Sequence, residues 1–174
     1  LLSGGTWLAV NADGEVSAVT NVREGTPETG RLSRGELPLR ALTDSRDRLE
    51  GYLLDEADQF SGFNLVHLTT GDGWYFSNRD AHPGRRIHRG VYGLSNHLLQ
   101  TPWPKLLRLR QAAGDTVAAA GRHAEKLHNE LIPLLQDSTP APDHLLPDTG
   151  VGLETERFLS SPFIVGSDYG TRAT

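Results

Sequence analysis

The stretch that most constrains this chain is Gly4–Asn21, GGTWLAVNADGEVSAVTN, because it carries a glycine pair, a hairpin and a strand-end amide together. Trp7, Ala9 and Asn11 alternate with Leu8 and Val10, and Val16, Ala18 and Thr20 alternate with Ser17, Val19 and Asn21, the period of two expected of strands. Between them Asn11-Ala12-Asp13-Gly14 reads as a hairpin turn, since glycine takes the positive φ the turn needs and aspartate bonds back to its own backbone. The second strand ends in Thr20-Asn21-Val22-Arg23-Glu24, which puts a carboxamide and a guanidinium at the mouth of a sheet, ahead of a Gly/Pro/Thr loop. Sites concentrate at such places.

The rest of the chain reads as support. Ser33-Arg34-Gly35-Glu36 has the form of a capping box, continued by Leu37, Leu39 and Leu42, with Pro38 acceptable in a first turn. Leu49, Leu53, Ala57 and Phe60 make the apolar stripe of a second helix opened by Asp44 or Ser45. Residues 63–69 and 74–78 predict a second hairpin through Thr70-Gly71-Asp72-Gly73. Residues 85–89 and 91–96 follow as shorter extended segments, the latter ending in Asn96. Thr101-Pro102-Trp103-Pro104-Lys105 launches a long helix, with a break or kink expected at Gly114 and Asp115, and a further helix is expected over 122–136 with Pro133 as a late interruption. Residues 137–150 read as a loop, 153–159 are ambiguous between helix and strand, and 162–174 are expected to be extended. Strands, then helices, then strands predict an α+β layered sandwich with antiparallel sheets.

At 174 residues and 19.0 kDa the chain has room for one domain, expected over 1–174. A net charge of −5 with scattered arginines disfavours nucleic acid as a partner, and no apolar run is long enough to be a transmembrane segment. Zero cysteines exclude a disulfide framework, a thiolate zinc site and a cysteine nucleophile within these residues. Methionine is absent too, so Leu1 is not expected to be the biological N-terminus. A native N-terminal segment and the last strands are expected to be missing. No secretory leader is read, and the expected compartment is the cytoplasm.

Of the seven histidines, His123 and His128 point away from each other on a helix, and His82 and His88 flank an arginine-rich turn without a ligand set, so no metal site is expected. His97, directly after Asn96, is placed to line a pocket. No Gly-x-Ser-x-Gly elbow, Walker loop or dinucleotide fingerprint is present, and no cofactor is expected. What stands out is the set Asn21, Asn96 and Arg172 at predicted strand ends. Asn can donate to a developing oxyanion, and Arg can hold a carboxylate or lower a neighbouring thiol's pKa. Trp7, Thr20, Arg23, Ser95 and His97 are the accompanying candidate ligand contacts, while a turn-cap or surface role for each remains the plain alternative.

Gly4-Gly5-Thr6-Trp7-Leu8, Ala18-Val19-Thr20-Asn21, Ser33-Arg34-Gly35-Glu36-Leu37, Gly62-Phe63-Asn64-Leu65, Tyr92-Gly93-Leu94-Ser95-Asn96, Thr101-Pro102-Trp103-Pro104-Lys105 and Tyr169-Gly170-Thr171-Arg172 together resemble the transport and Golgi organisation protein 2 family, also called the NRDE family. The resemblance implies an N-terminal-nucleophile hydrolase-like fold, a four-layer αββα sandwich. Family members begin Met-Cys and carry an Asn-Arg-Asp-Glu motif before the Gly-Gly-Thr-Trp stretch, and neither is in this sequence; Asn78-Arg79-Asp80-Ala81 departs from the motif. By further resemblance to choloylglycine and penicillin acylases, Asn21 looks like an oxyanion-hole residue, Asn96 like the second Asn beside the nucleophile and Arg172 like the Arg that orients it. Two functions follow. One is a binding or trafficking module for a small-molecule or lipid-like ligand, haem included. The other is an amidase-like enzyme with its cysteine nucleophile outside these residues.

Overall fold

The computed structural model describes residues 4–25, 30–121 and 123–172. Strands β1 (Leu8–Val10) and β2 (Val16–Asn21) pair antiparallel, with Leu8 opposite Ala18. Asn11 ties their turn, its Oδ1 accepting from the N–H groups of Asp13 and Glu15, both at 3.0 Å. Gly14 takes φ +80°, where a side chain would be strained.

Strands β3 (Phe63–Leu68), β4 (Gly73–Ser77) and β5 (Gly84–Ile87) complete a five-stranded antiparallel sheet in the order β1-β2-β3-β4-β5. The last strand stops short of the expected 85–89. Register aligns Val19, Leu65 and Phe76 across β2, β3 and β4. Because side chains alternate along a strand, Phe63 and Trp74 share that face. Helices α1 (Leu37–Thr43) and α2 (Arg46–Glu56) cover it with Leu37, Ala41, Leu49 and Leu53. Phe60 meets Phe63 edge-on at 5.5 Å, and Phe63 stacks on Phe76 at 5.8 Å. Fully burying one such side chain contributes roughly 1.5–3 kcal/mol. The opposite face carries Leu8, Val10 and Leu68, which are 58%, 62% and 42% exposed.

Serines start the helical segments as expected: Ser45 Oγ accepts from Arg48 N–H, and Ser33 Oγ from Gly35 N–H. The capping box does not close, because Glu36 takes the Tyr52 hydroxyl instead, at 2.6 Å. Gly5 and Gly35 touch backbone to backbone, and a Cβ on Gly5 would lie 2.8 Å from Gly35. Thr6 N–H donates to Gly35 C=O at 2.9 Å across this contact.

Leu1–Gly90 with Ser95–Leu99 form one compact unit, and Val91–Leu94 with Gln100–Thr174 a second. The second contains α3 (Pro104–Ala120), α4 (Ala124–Leu135) and α5 (Leu153–Phe158), so the ambiguous 153–159 segment is mainly helical. The expected break at Gly114 does not occur. Gln111 Nε2 bonds Asp115 one turn on, and an interior glycine costs a helix only about 1 kcal/mol. Pro133 sits in the last turn of α4 and does not end it. Lys105 is buried, with Nζ donating to Leu159 C=O at 2.9 Å.

Two expected extended segments are not strands among the described residues. Around Val91–Asn96, Gly93 N–H donates to Gln100 Oε1 and Gln100 N–H to Gly93 C=O, closing a loop with Gln100 at φ 68°. Residues 162–172 turn back likewise, with Thr171 N–H donating to Ile164 C=O and Ile164 N–H to Thr171 Oγ1, both at 2.9 Å. Main-chain groups satisfied inside a loop leave nothing for a ladder. The ends of this second stretch, 173 and 174, lie outside the described residues. No helix among the described residues is long and apolar enough to cross a membrane.

Candidate functional site

β2 leaves the sheet at Asn21, its last position in register, opposite Phe63. Val22 N–H then donates to Gly62 C=O at 2.9 Å, and a Cβ on Gly62 would come 2.9 Å from Glu24 Oε1 and 3.0 Å from Val22 Cβ. Glycine at 62 is what lets the exit path run this close to β3. Ser95–Leu99 comes back to the same place. Arg23 N–H donates to Asn96 C=O at 2.7 Å, and Asn96 Nδ2 donates to Asn21 C=O at 3.3 Å.

Asn21 Oδ1 is buried and accepts no hydrogen bond from the described residues. A buried acceptor without a donor costs roughly 1–3 kcal/mol, so it is a point where an incoming N–H or O–H is favoured. Asn96 commits one amide hydrogen to Asn21 C=O and has a second to offer. The rim therefore presents an acceptor and a donor on neighbouring residues.

Beneath it lies a buried polar network. Asn64 Nδ2 donates to Thr20 Oγ1 and to His97 C=O, both at 3.1 Å. Tyr75 O–H donates to Asn64 Oδ1 at 2.8 Å and accepts from Leu99 N–H at 3.2 Å. Thr20 O–H donates to Ser95 C=O at 3.0 Å. Burial raises the pKa of Tyr75, which keeps it a neutral donor.

On the far side of the exit path, Glu24 pairs with the Arg79 guanidinium, and Arg34 Nη1 donates to Gly62 C=O at 2.9 Å. Burial lowers the pKa of Arg34 while Glu24 raises it. At the opposite end of β3, His67 Nδ1 lies 3.4 Å from Arg46 Nη2. Arginine only donates, so Nδ1 must be the acceptor and Nε2 carries the proton. That Nε2 is buried with no hydrogen-bond partner among the described residues, 3.8 Å from Glu15 Oε2. Burial first, and Arg46 second, lower the His67 pKa.

Of the residues singled out in the sequence, Asn21, Asn96, Thr20, Arg23, Ser95 and His97 gather at this rim. The contributions of Ser95 and His97 described above are main-chain carbonyls. Trp7 is 56% exposed and its carbonyl accepts from Val19 N–H, two residues from Asn21. Arg172 belongs to the second unit, is exposed, and donates to Asp168 C=O at 3.4 Å. Asn96 and Arg172 do not end strands, because Asn96 lies within the loop closed between Gly93 and Gln100 and Arg172 follows the one closed between Ile164 and Thr171. Sequence reasoning missed Gly62, Asn64 and Tyr75. A polar Asn between Phe63 and Leu65 in an apolar strand was the available signal. Among the described residues no three His, Asp or Glu side chains are grouped to hold a metal.

The family model described as Transport and Golgi organisation 2 matches residues 2–174. A Mus musculus protein named Transport and Golgi organization 2 homolog is 33% identical over 158 residues, covering 85% of this chain and 57% of its own. The Bos taurus Transport and Golgi organization protein 2 homolog is 32% identical over 186 residues, covering 98% of this chain and 66% of its own. The Homo sapiens protein of the same name is 39% identical over 111 residues, covering 59% of this chain and 40% of its own. The chain thus spans less than two thirds of the length of each.

Proposed function

The chain belongs to the Transport and Golgi organisation 2 family, and from that premise we propose that it is part of a trafficking-associated protein that binds a small or lipid-like ligand at the Asn21–Asn96 rim. The observation that carries this reading is the buried Asn21 Oδ1, which accepts no hydrogen bond from the described residues, beside the Asn96 amide. Such a pair suits a head group that donates and accepts at once, an amide or a carboxylic acid. Acyl lipids with an amide or free-acid head group, and haem held through a protonated propionic acid, are the ligand chemistries proposed. The compartment proposed is the cytoplasm.

A finer fold accompanies the proposal. The face of the sheet opposite α1 and α2 exposes Leu8, Val10 and Leu68, and the relatives are longer than this chain. We propose that a second antiparallel sheet in the family-length protein covers that face, making the αββα sandwich of N-terminal-nucleophile hydrolases.

The test is a titration of the family-length protein with palmitoyl-coenzyme A and, separately, with haemin, read by tryptophan fluorescence and visible absorbance. Binding of either probe that weakens at least about tenfold in Asn21→Ala and Asn96→Ala supports the rim, since one lost charge-neutral hydrogen bond is worth about that factor. Binding unaffected by both variants, or no binding of either probe, removes the reading.

A second reading is favoured by the same pair. An Asn96 N–H directed at a carbonyl oxygen would stabilise the oxyanion of acyl transfer, with the thiol nucleophile supplied from outside these residues. The thiol would displace the amine, leaving a thioester that water then hydrolyses. Amine release from an acyl amide by the family-length protein, lost in Asn96→Ala, separates catalysis from binding alone.

A further inference from the structure

We infer that Asn64 and Tyr75 are positioning residues: their side chains pin the backbone of Ser95–Leu99 against β2, β3 and β4, and this aims the Asn96 amide at Asn21. Both are fully buried in strands that are otherwise largely apolar. An Asn and a Tyr hydroxyl cost more to bury there than a Leu and a Phe unless every polar atom is satisfied. Here the atoms are satisfied, two of their four bonds being to the main chain of one segment.

The pins fall on alternate residues. Ser95 C=O takes the Thr20 hydroxyl, His97 C=O takes Asn64 Nδ2, and Leu99 N–H donates to the Tyr75 oxygen. Asn64 joins the three anchors into one unit, because its Nδ2 also bonds Thr20 Oγ1 and its Oδ1 accepts from Tyr75. Fixing 95, 97 and 99 against the sheet leaves Asn96, which lies between two of these anchors, held at the strand exit. There its carbonyl takes Arg23 N–H and its side chain reaches Asn21 C=O. The rim is assembled by side chains on three neighbouring strands, although no ladder joins 95–99 to the sheet.

The link from this geometry to ligand affinity rests on the binding reading above, whereas the geometry itself is tested without a ligand. Tyr75→Phe keeps the ring and deletes only the hydroxyl, so the core packing survives. Asn64→Asp keeps an acceptor for Tyr75 and replaces the donor to His97 C=O with an oxygen. In nitrogen-15 spectra of the family-length protein, both variants are expected to move the Asn96 side-chain amide resonances. Both should also speed exchange of the Leu99 and Arg23 amides on the order of tenfold beyond any uniform change across the β3–β4 ladder. A merely structural loss would raise exchange across the ladder to the same degree and leave no excess at these sites.

Unmoved Asn96 resonances and unchanged Arg23 exchange in folded Tyr75→Phe overturn the inference. So do moved resonances with wild-type affinity for whichever of palmitoyl-coenzyme A and haemin the wild-type protein binds. A wild-type protein that binds neither probe ends the binding reading instead, and the exchange and resonance shifts then decide the positioning role alone.

Discussion

Asn96 donates its side-chain amide to the main-chain carbonyl of Asn21 at 3.3 Å, so residues 75 positions apart in the chain meet at one rim. Beside that bond the Asn21 Oδ1 is buried, and none of the described residues donates to it. A group kept for folding would be expected to find a partner, whereas one kept for a ligand bears a cost in the empty protein. Asn21→Leu, similar in size and without the orphan acceptor, is expected to raise the stability of the unliganded protein by about 1 kcal/mol while abolishing ligand binding. Urea unfolding and the probe titration check the two halves. A destabilised variant would show that Asn21 is a structural cap.

The helix-covered face of the sheet should be sensitive to volume. Leu53 in α2 is fully buried in the cluster formed with Phe60, Phe63 and Phe76. Leu53→Ala is expected to cost about 2–5 kcal/mol, the sum of lost transfer free energy and the cavity left behind. A urea midpoint that falls with an unchanged slope would register this as lost stability. Exposed Leu54, one position on, should tolerate the same change within about 0.5 kcal/mol.

What could be read from the sequence was what local chemistry determines. Asp13-Gly14 located the first turn because a two-residue preference decides it, and the Leu49–Leu53–Phe60 spacing located α2 because burial repeats with the helical period. Asn21 could be singled out because it ends a legible strand. Its meeting with Asn96 could not be derived from periodicity, since side-chain to main-chain bonds over long separations leave no period. Val91–Asn96 alternates like a strand, yet Gln100 closes it as a loop. Asn64 and Tyr75 were hidden for the converse reason. They occupy strand positions whose neighbours are apolar, and only the fold shows that their polar atoms face Ser95–Leu99.

His67 should make stability depend on pH. Buried, with Arg46 at Nδ1, Glu15 at 3.8 Å from Nε2 and Asp72 3.8 Å from Arg46, it has a pKa below the ordinary 6.5. Below 6.5 the unfolded chain binds a proton that the folded chain resists, so stability rises with pH through this window. The contribution is complete above 6.5 and is lost as pH falls through the folded value. Urea midpoints at about pH 7.5 and about pH 5 are expected to fall further for the wild type than for His67→Gln. Parallel decreases in the two proteins would show that the imidazole is not the group responsible.

Tyr52 offers a spectroscopic test of the α1–α2 packing. Its hydroxyl donates to Glu36 Oε1 at 2.6 Å, and the Arg40 guanidinium carbon lies 4.0 Å from the ring centroid. Burial, and then the bond to Glu36, raise its pKa from 10.0 to about 12. Ionising this phenol would break the hydrogen bond and set two negative charges side by side, which the Arg40 charge only partly offsets. A raised folded pKa means that the stabilisation is complete below 10.0 and is lost as pH rises through about 12. In an alkaline titration followed by phenolate absorbance, with circular dichroism confirming the fold at each step, Tyr52→Phe should remove a late transition. Glu36→Gln should move that transition to lower pH without returning it to the ordinary value, because burial persists when the carboxylate charge is gone. A transition unmoved by Glu36→Gln would assign the whole shift to burial and leave the Tyr52–Glu36 bond without influence on the phenol.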